Sequence, residues 1–271
     1  MKFAICNEIF ENWTLERICE FCRPLGYEGV EISPFTLDEK PTELSKADRL
    51  VIRQTVEGRG MRVVGLHWLL AKTTGFYVTH ADAAIRRTTA EYILALVHLC
   101  ADLGGKVMVI GSPKQRSLLP GVSTAQAMEF AAEVFRPSLD PALSRGVTLA
   151  IEPLGPAETD FLNTAAQGIE LIDRLNHPAF RLHLDVKAMS SEPKPIPQII
   201  RDSAKHIAHV HVNDPNLRGP GMGEVDHRPI VTALRQAGYD GWLSVETFDT
   251  AVPPETTAQE SALYLKQVCA L

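Results

Sequence analysis

The chain has 271 residues, 45% hydrophobic and 22% charged, with a formal net charge of −6. That leaves enough apolar material for a sizeable core and excludes a disordered or fibrous chain. The acidic balance argues against a protein that grips a nucleic-acid backbone, and no run approaches the roughly 20 apolar residues of a membrane span.

The first β-rich run covers residues 2–7. The chain then turns acidic at Glu8 and Glu11, too early for a secretory signal. A helical stretch over 14–25 contains Cys19 and Cys22 as a C-x-x-C. With no second cysteine or histidine pair this spacing reads as a helical coincidence rather than a zinc or redox motif. Five scattered cysteines suit a reducing compartment, so a cytoplasmic location is expected. Strand-like runs follow at 29–33, 62–68, 106–111, 147–153, 180–186, 207–212 and 242–248. Helical stretches fall at 45–59, 83–103, 123–144 and 164–175, and others follow the last three strands. Thr14, Ser123 and Thr164 stand where a hydroxyl can cap a helix start, and Gly29, Gly60, Gly105, Gly146 and Gly241 precede strands.

Eight strand–helix units of roughly 30 residues apiece match a single (β/α)₈ TIM barrel spanning residues 1–271. The rival is a doubly wound sheet. When it binds a dinucleotide it carries a glycine-rich turn after its first strand, whereas the turn here is Asn-Glu-Ile-Phe-Glu-Asn.

Function in such a barrel gathers at the C-terminal strand ends. The fifth strand ends at Glu152, the sixth at Asp185, the seventh carries His211 and the eighth Glu246, at intervals of 33, 26 and 35 residues. One side chain per unit lines up four metal-competent groups. A lone strand-end acid is often only the partner of an arginine. Three clustered carboxylates, however, would repel one another without a cation between them. The oxygen-rich set suits Mn²⁺, Mg²⁺ or Co²⁺, with Zn²⁺ left open. His209 and His183 read as buried layer residues, and Glu31 as an acid of ambiguous role.

The phrases Ala-Ile-Glu152-Pro, His-Leu-Asp185, His-Val-His211-Val-Asn-Asp and Ser-Val-Glu246 resemble the sugar-phosphate isomerase/epimerase family. That family has a xylose-isomerase-like barrel and includes ketose 3-epimerases and 2-keto-myo-inositol isomerase. The resemblance implies one divalent ion, most often Mn²⁺, held by Glu152, Asp185, His211 and Glu246. It further implies proton transfer between Glu152 and Glu246 through an enediolate of a keto-sugar or keto-polyol. Glu158 matches a family glutamate near the substrate.

Where family members carry a histidine three residues after the aspartate, this chain has Ala188, and Lys187 is the candidate replacement. Arg218 is the candidate for a family arginine, although the Gly-rich loop around it blurs the register. His67, ending the third strand, is a candidate for a substrate hydroxyl. Trp13 and Phe10 are candidates for an apolar wall, and Lys114 and Arg116 for an anion contact or for solvent. A metal-dependent lyase or dehydratase shares the first half-reaction and is the main alternative. An endonuclease-IV-like nuclease and a non-catalytic sugar-binding subunit follow at a distance. The expected partner is a small sugar or polyol, with neither nucleic acid nor membrane. The resemblance allows a homo-oligomer, though no interface pattern is readable.

Overall fold

A computed structural model describes residues 1–270. In chain order the elements are β1 (Lys2–Cys6), α1 (Leu15–Leu25), β2 (Gly29–Ile32), α2 (Lys46–Glu57), β3 (Arg62–Leu66), α3 (Ala83–Asp102), β4 (Val107–Ile110) and α4 (Thr124–Arg145). Then come β5 (Thr148–Ile151), α5 (Ala165–Leu175), β6 (Phe180–Asp185), α6 (Val186–Met189), α7 (Ile196–Ser203), β7 (Ile207–Val212), α8 (His227–Gln236), β8 (Trp242–Val245) and α9 (Pro254–Ala270). The strands close into one barrel in sequence order, every neighbour parallel, with β1 paired to β8 from Lys2 opposite Trp242 to Ile5 opposite Val245.

Local signals act where the sequence places them. The hydroxyls of Thr14, Ser123 and Thr164 accept the backbone N–H of Arg17, Gln126 and Gln167, satisfying donors that the first helical turn leaves free. Cys19 and Cys22 are buried free thiols of α1. Burial pushes the Cys19 thiol up to about 11 and that of Cys22 higher still, so the pair belongs to the core. No helix among the described residues is long and apolar enough to cross a membrane.

Side chains alternate across each strand. Outward residues such as Ile5, Ile32, Leu149, Leu184, Val212 and Val245 join the main core under the helices. The inward set changes character along the barrel. Ala4, Val64, Val107, Val109 and Ala150 form a small apolar plug. Beyond it, toward the C-terminal strand ends, Glu31, His67, His183, His209, His211 and Ser244 fill the interior at 1% exposure or less. Two register shifts, between Val30 and Glu31 and between Leu182 and His183, fall immediately before polar members of this layer. Such a shift bends the strand and re-aims the residues after it.

Most strands stop one to three residues earlier than their sequence pattern suggests. β5 ends at Ile151 and β8 at Val245, so Glu152 and Glu246 stand one residue past the ladder. After β6 the chain winds directly into the four-residue α6, because Asp185 Oδ1 accepts the N–H of Ala188 at 2.7 Å and caps it.

Candidate active site

The four strand-end residues meet. Glu152, Asp185 and His211, together with His183, offer ligand atoms that all lie within 4.8 Å of one another. Glu246 Oε2 is 3.0 Å from His211 Nδ1, and all four predicted ligands are at most 4% exposed. Burial, with Glu246 and Asp185 beside it, drives the Glu152 carboxyl well above the usual range. Burial and Glu246 push Asp185 up to about 6. Three carboxylates and one imidazole nitrogen thus share a pocket in which their charges oppose one another. This donor set fits a hard divalent cation, which would hold all three carboxylates ionised.

The ligand geometry is supported from behind. His211 Nε2–H donates to Glu31 Oε1 at 3.0 Å, and His209 Nε2–H donates to Glu31 Oε2 at 2.7 Å. Against the cost of burial, these two imidazoles hold Glu31 well below the ordinary carboxylate range. The Nε2 proton of His211 is therefore committed, and Nδ1, beside Glu246 Oε2, is the ring nitrogen that would take a cation. Glu31 orients the candidate ligand His211, and His209 is a buried hydrogen-bonded residue as its sequence position suggests. On the other side, Asn213 Nδ2 donates to Asp185 Oδ2 at 2.6 Å while its Oδ1 accepts the Lys187 N–H at 2.8 Å.

Carboxylates behind metal-binding histidines commonly change affinity 10–100-fold when altered. Glu31→Gln is accordingly expected to weaken divalent-ion binding by about that factor. Titration calorimetry with Mn²⁺ checks this, and an unchanged dissociation constant would remove Glu31 from the site.

The remaining candidates spread around the rim. Glu158 Oε1 accepts from Lys187 Nζ at 2.7 Å, and Lys187 lies 4.6 Å over the Phe248 ring, so these two form one unit beside the cluster. Arg218 is further out. Its Nε–H donates to Asp249 at 2.7 Å, tying the loop after β7 to the loop after β8. The glycine-rich segment following it is tied back by Asp214, which accepts from Gly221 N and Val225 N. Trp13 lines a cleft of about 1200 Å³, with the Arg17 guanidinium 3.6 Å over its ring. Phe10 lies beneath it, almost wholly buried.

Two residues stand differently from their sequence reading. Arg116 does not face solvent. It is buried, and donates to the backbone oxygen of Glu152 at 2.7 Å. His67 is fully buried as well, with Nε2 2.7 Å from Glu8 Oε2 and 3.0 Å from Ser33 Oγ. The group at this corner that lines the cleft is Glu8. Sequence reasoning passed over Glu8, although its place at the end of the first strand was a usable signal.

Comparison with known proteins agrees with this architecture. The family model for the xylose isomerase-like TIM barrel matches residues 19–268. An L-ribulose 3-epimerase of Mesorhizobium japonicum is 31% identical over 188 residues, 69% of this chain and 63% of that protein. A ketose 3-epimerase of Arthrobacter globiformis is 30% identical over 177 residues, 65% of this chain and 61% of that protein. The chain thus spans a little under two thirds of the length of these two curated relatives. A crystal structure of a D-psicose 3-epimerase in the presence of D-fructose superposes with a TM-score of 0.88 at 21% identity, covering both chains completely. A solved L-ribulose 3-epimerase gives 0.85 at 23% identity, covering 100% of this chain and 95% of that one. The likeness in structure bears on the fold, and the family match covers nearly the whole chain: this protein belongs to the xylose isomerase-like TIM barrel family.

Proposed function

We propose that the chain is a divalent-metal-dependent epimerase of a keto sugar, exchanging a proton at the carbon beside the ketone between Glu152 and Glu246. One observation carries the reading: two carboxylates from different strands share a buried cluster with an aspartate and an oriented imidazole. Glu152, Asp185, His211 and Glu246 would hold the ion, with Mn²⁺ favoured by the oxygen-rich set. When bound, the ion supplies Lewis-acid stabilisation of the negative charge that develops as the proton leaves.

The protein residues do the rest. A carboxylate removes the proton from one face of the carbon, and the second returns one to the opposite face, which inverts the centre. Burial of both carboxylates keeps bulk water from competing for the proton. The Glu158–Lys187 pair stands beside the cluster, where the missing histidine leaves Ala188, and it can hydrogen-bond the sugar hydroxyls nearest the reacting carbon. Trp13 closes the outer wall, and Arg218 acts at a distance by holding Asp249.

The similarity to ketose and L-ribulose 3-epimerases supports the same reaction class. A dehydratase would also need an acid placed to expel a leaving hydroxyl, and no feature of the site favours that over reprotonation. Incubating the Mn²⁺-loaded protein with ketoses in D₂O is expected to place solvent deuterium at C3 together with the epimer, with no loss of water. A dehydrated product, or no exchange with any ketose, would overturn the reading.

A further inference from the structure

The cleft lined by Glu8, which reaches within 4.8 Å of the Glu246 carboxylate, is larger than a free ketose requires. Its volume, about 1200 Å³, exceeds the roughly 300–1,000 Å³ of a typical small-molecule pocket. One wall is a row of aromatic rings. Phe248 and Trp68 stack with centroids 5.6 Å apart and planes within 20°, and Trp68 continues to Phe35 at 6.2 Å. Trp68 holds this place with φ at +51°, a left-handed backbone that a bulky residue rarely adopts. The base of the cleft offers an unfilled polar contact. Glu8 Oε2 is occupied by His67 and Ser33, but Glu8 Oε1 is buried without a hydrogen-bond partner, in a side chain only 9% exposed. Such an oxygen calls for a donor such as a ligand hydroxyl.

The charge of the lining sorts the ligands further. Glu8, Glu11, Glu16, Asp249 and Glu255 face Lys72 alone. Arg59 and Arg218 offset Glu16 and Asp249, whereas Glu11 and Glu255 have no ion pair among the described residues. A phosphate in this cleft would meet mostly like charge.

Resting on the epimerase reading, we infer that the substrate is a neutral, glycosylated ketose. Its ketose end lies at the carboxylate cluster, one of its hydroxyls donates to Glu8, and its second sugar ring packs against Trp68 and Phe35, taking the place of Lys72 Nζ, which lies 4.3 Å over the Phe35 ring. The apolar faces of a pyranose suit an aromatic wall, and its hydroxyl rim suits the acidic surroundings.

The test compares kcat/KM for 3-epimerisation by the Mn²⁺-loaded enzyme across free ketohexoses, D-fructose 6-phosphate, and D-fructose carrying a glucosyl group on O4 or O6. Both linkages leave the ketone and the C3 hydroxyl free. A glucosylated ketose is expected to exceed the best free ketohexose by about tenfold, the scale of one well-made ring stack. The 6-phosphate should fall below D-fructose. Trp68→Asn, whose side chain tolerates left-handed backbone, and Phe35→Ala should each shrink the glucosyl preference to within about twofold. A preference for the free or the phosphorylated sugar overturns the inference and leaves the epimerase reading standing, as does a glucosyl preference that survives both substitutions. Absence of C3 deuterium exchange with every ketose overturns both.

Discussion

Replacing Glu246 by glutamine is expected to stop epimer interconversion, lowering kcat by about 10³-fold, within the range for loss of a positioned general acid or base. That factor corresponds to about 4 kcal/mol of barrier. Glutamine keeps the shape and one donor oxygen but cannot carry the proton. Glu152, Asp185 and His211 remain as ligands, so metal analysis should still find an ion bound. Glu152→Gln is the companion, and the two variants should fail differently. Each keeps the carboxylate that faces one side of the carbon, so each should wash deuterium into one epimer slowly while converting neither. Nuclear magnetic resonance of both epimers in D₂O separates the cases. Interconversion near the parent rate in either variant would remove that glutamate from the proton path.

Gly111→Ala should separate catalysis from folding. Gly111 follows β4 at the inward position beside Glu152, and a Cβ there would lie 1.7 Å from Glu152 Oε2 and 2.9 Å from its Cδ. The obstructing atoms end a side chain, so the backbone can stay where it is while the carboxylate swings away. Activity is expected to fall about 100-fold, as a displacement of around 1 Å can cause, with weaker ion binding and a nearly unchanged melting temperature. Gly65→Ala is the contrast: its Cβ would lie 1.9 Å from the backbone oxygen of Val107, so that substitution must move a barrel strand. If Gly111→Ala kept parent activity and ion affinity, the glycine would be no more than a filler between strands.

The candidate ligands were legible because of how a barrel is written in sequence. Each of the last four strands is a short apolar run whose last inward position carries a polar residue, and the intervals among Glu152, Asp185, His211 and Glu246 match the strand–helix repeat. The hydroxyl caps of α1, α4 and α5 were legible for the same local reason, since a cap acts across three residues. Glu31 was not, because its partners His209 and His211 lie 178 and 180 residues away and are joined to it only by ring closure. Arg116 misled as a loop arginine because nothing local shows that it turns inward onto the Glu152 carbonyl. His67 and Glu8 are separated by 59 residues, so which of them reaches the cleft was settled by packing.

The route by which the ring closes has a kinetic consequence. All four proposed ligands come from the second half of the chain, yet the carboxylate that orients His211 comes from β2, and the ladder that seals the circle joins Lys2 to Trp242. Contacts of such sequence separation form late, after the local strand–helix units have been assembled. A partly folded chain can therefore display several carboxylates without the oriented imidazole, and its grip on an ion will be loose and unselective. An ion held as proposed would be captured tightly only with the final seam, as a latch on the finished barrel, and a chain with an open ring would have little with which to hold it.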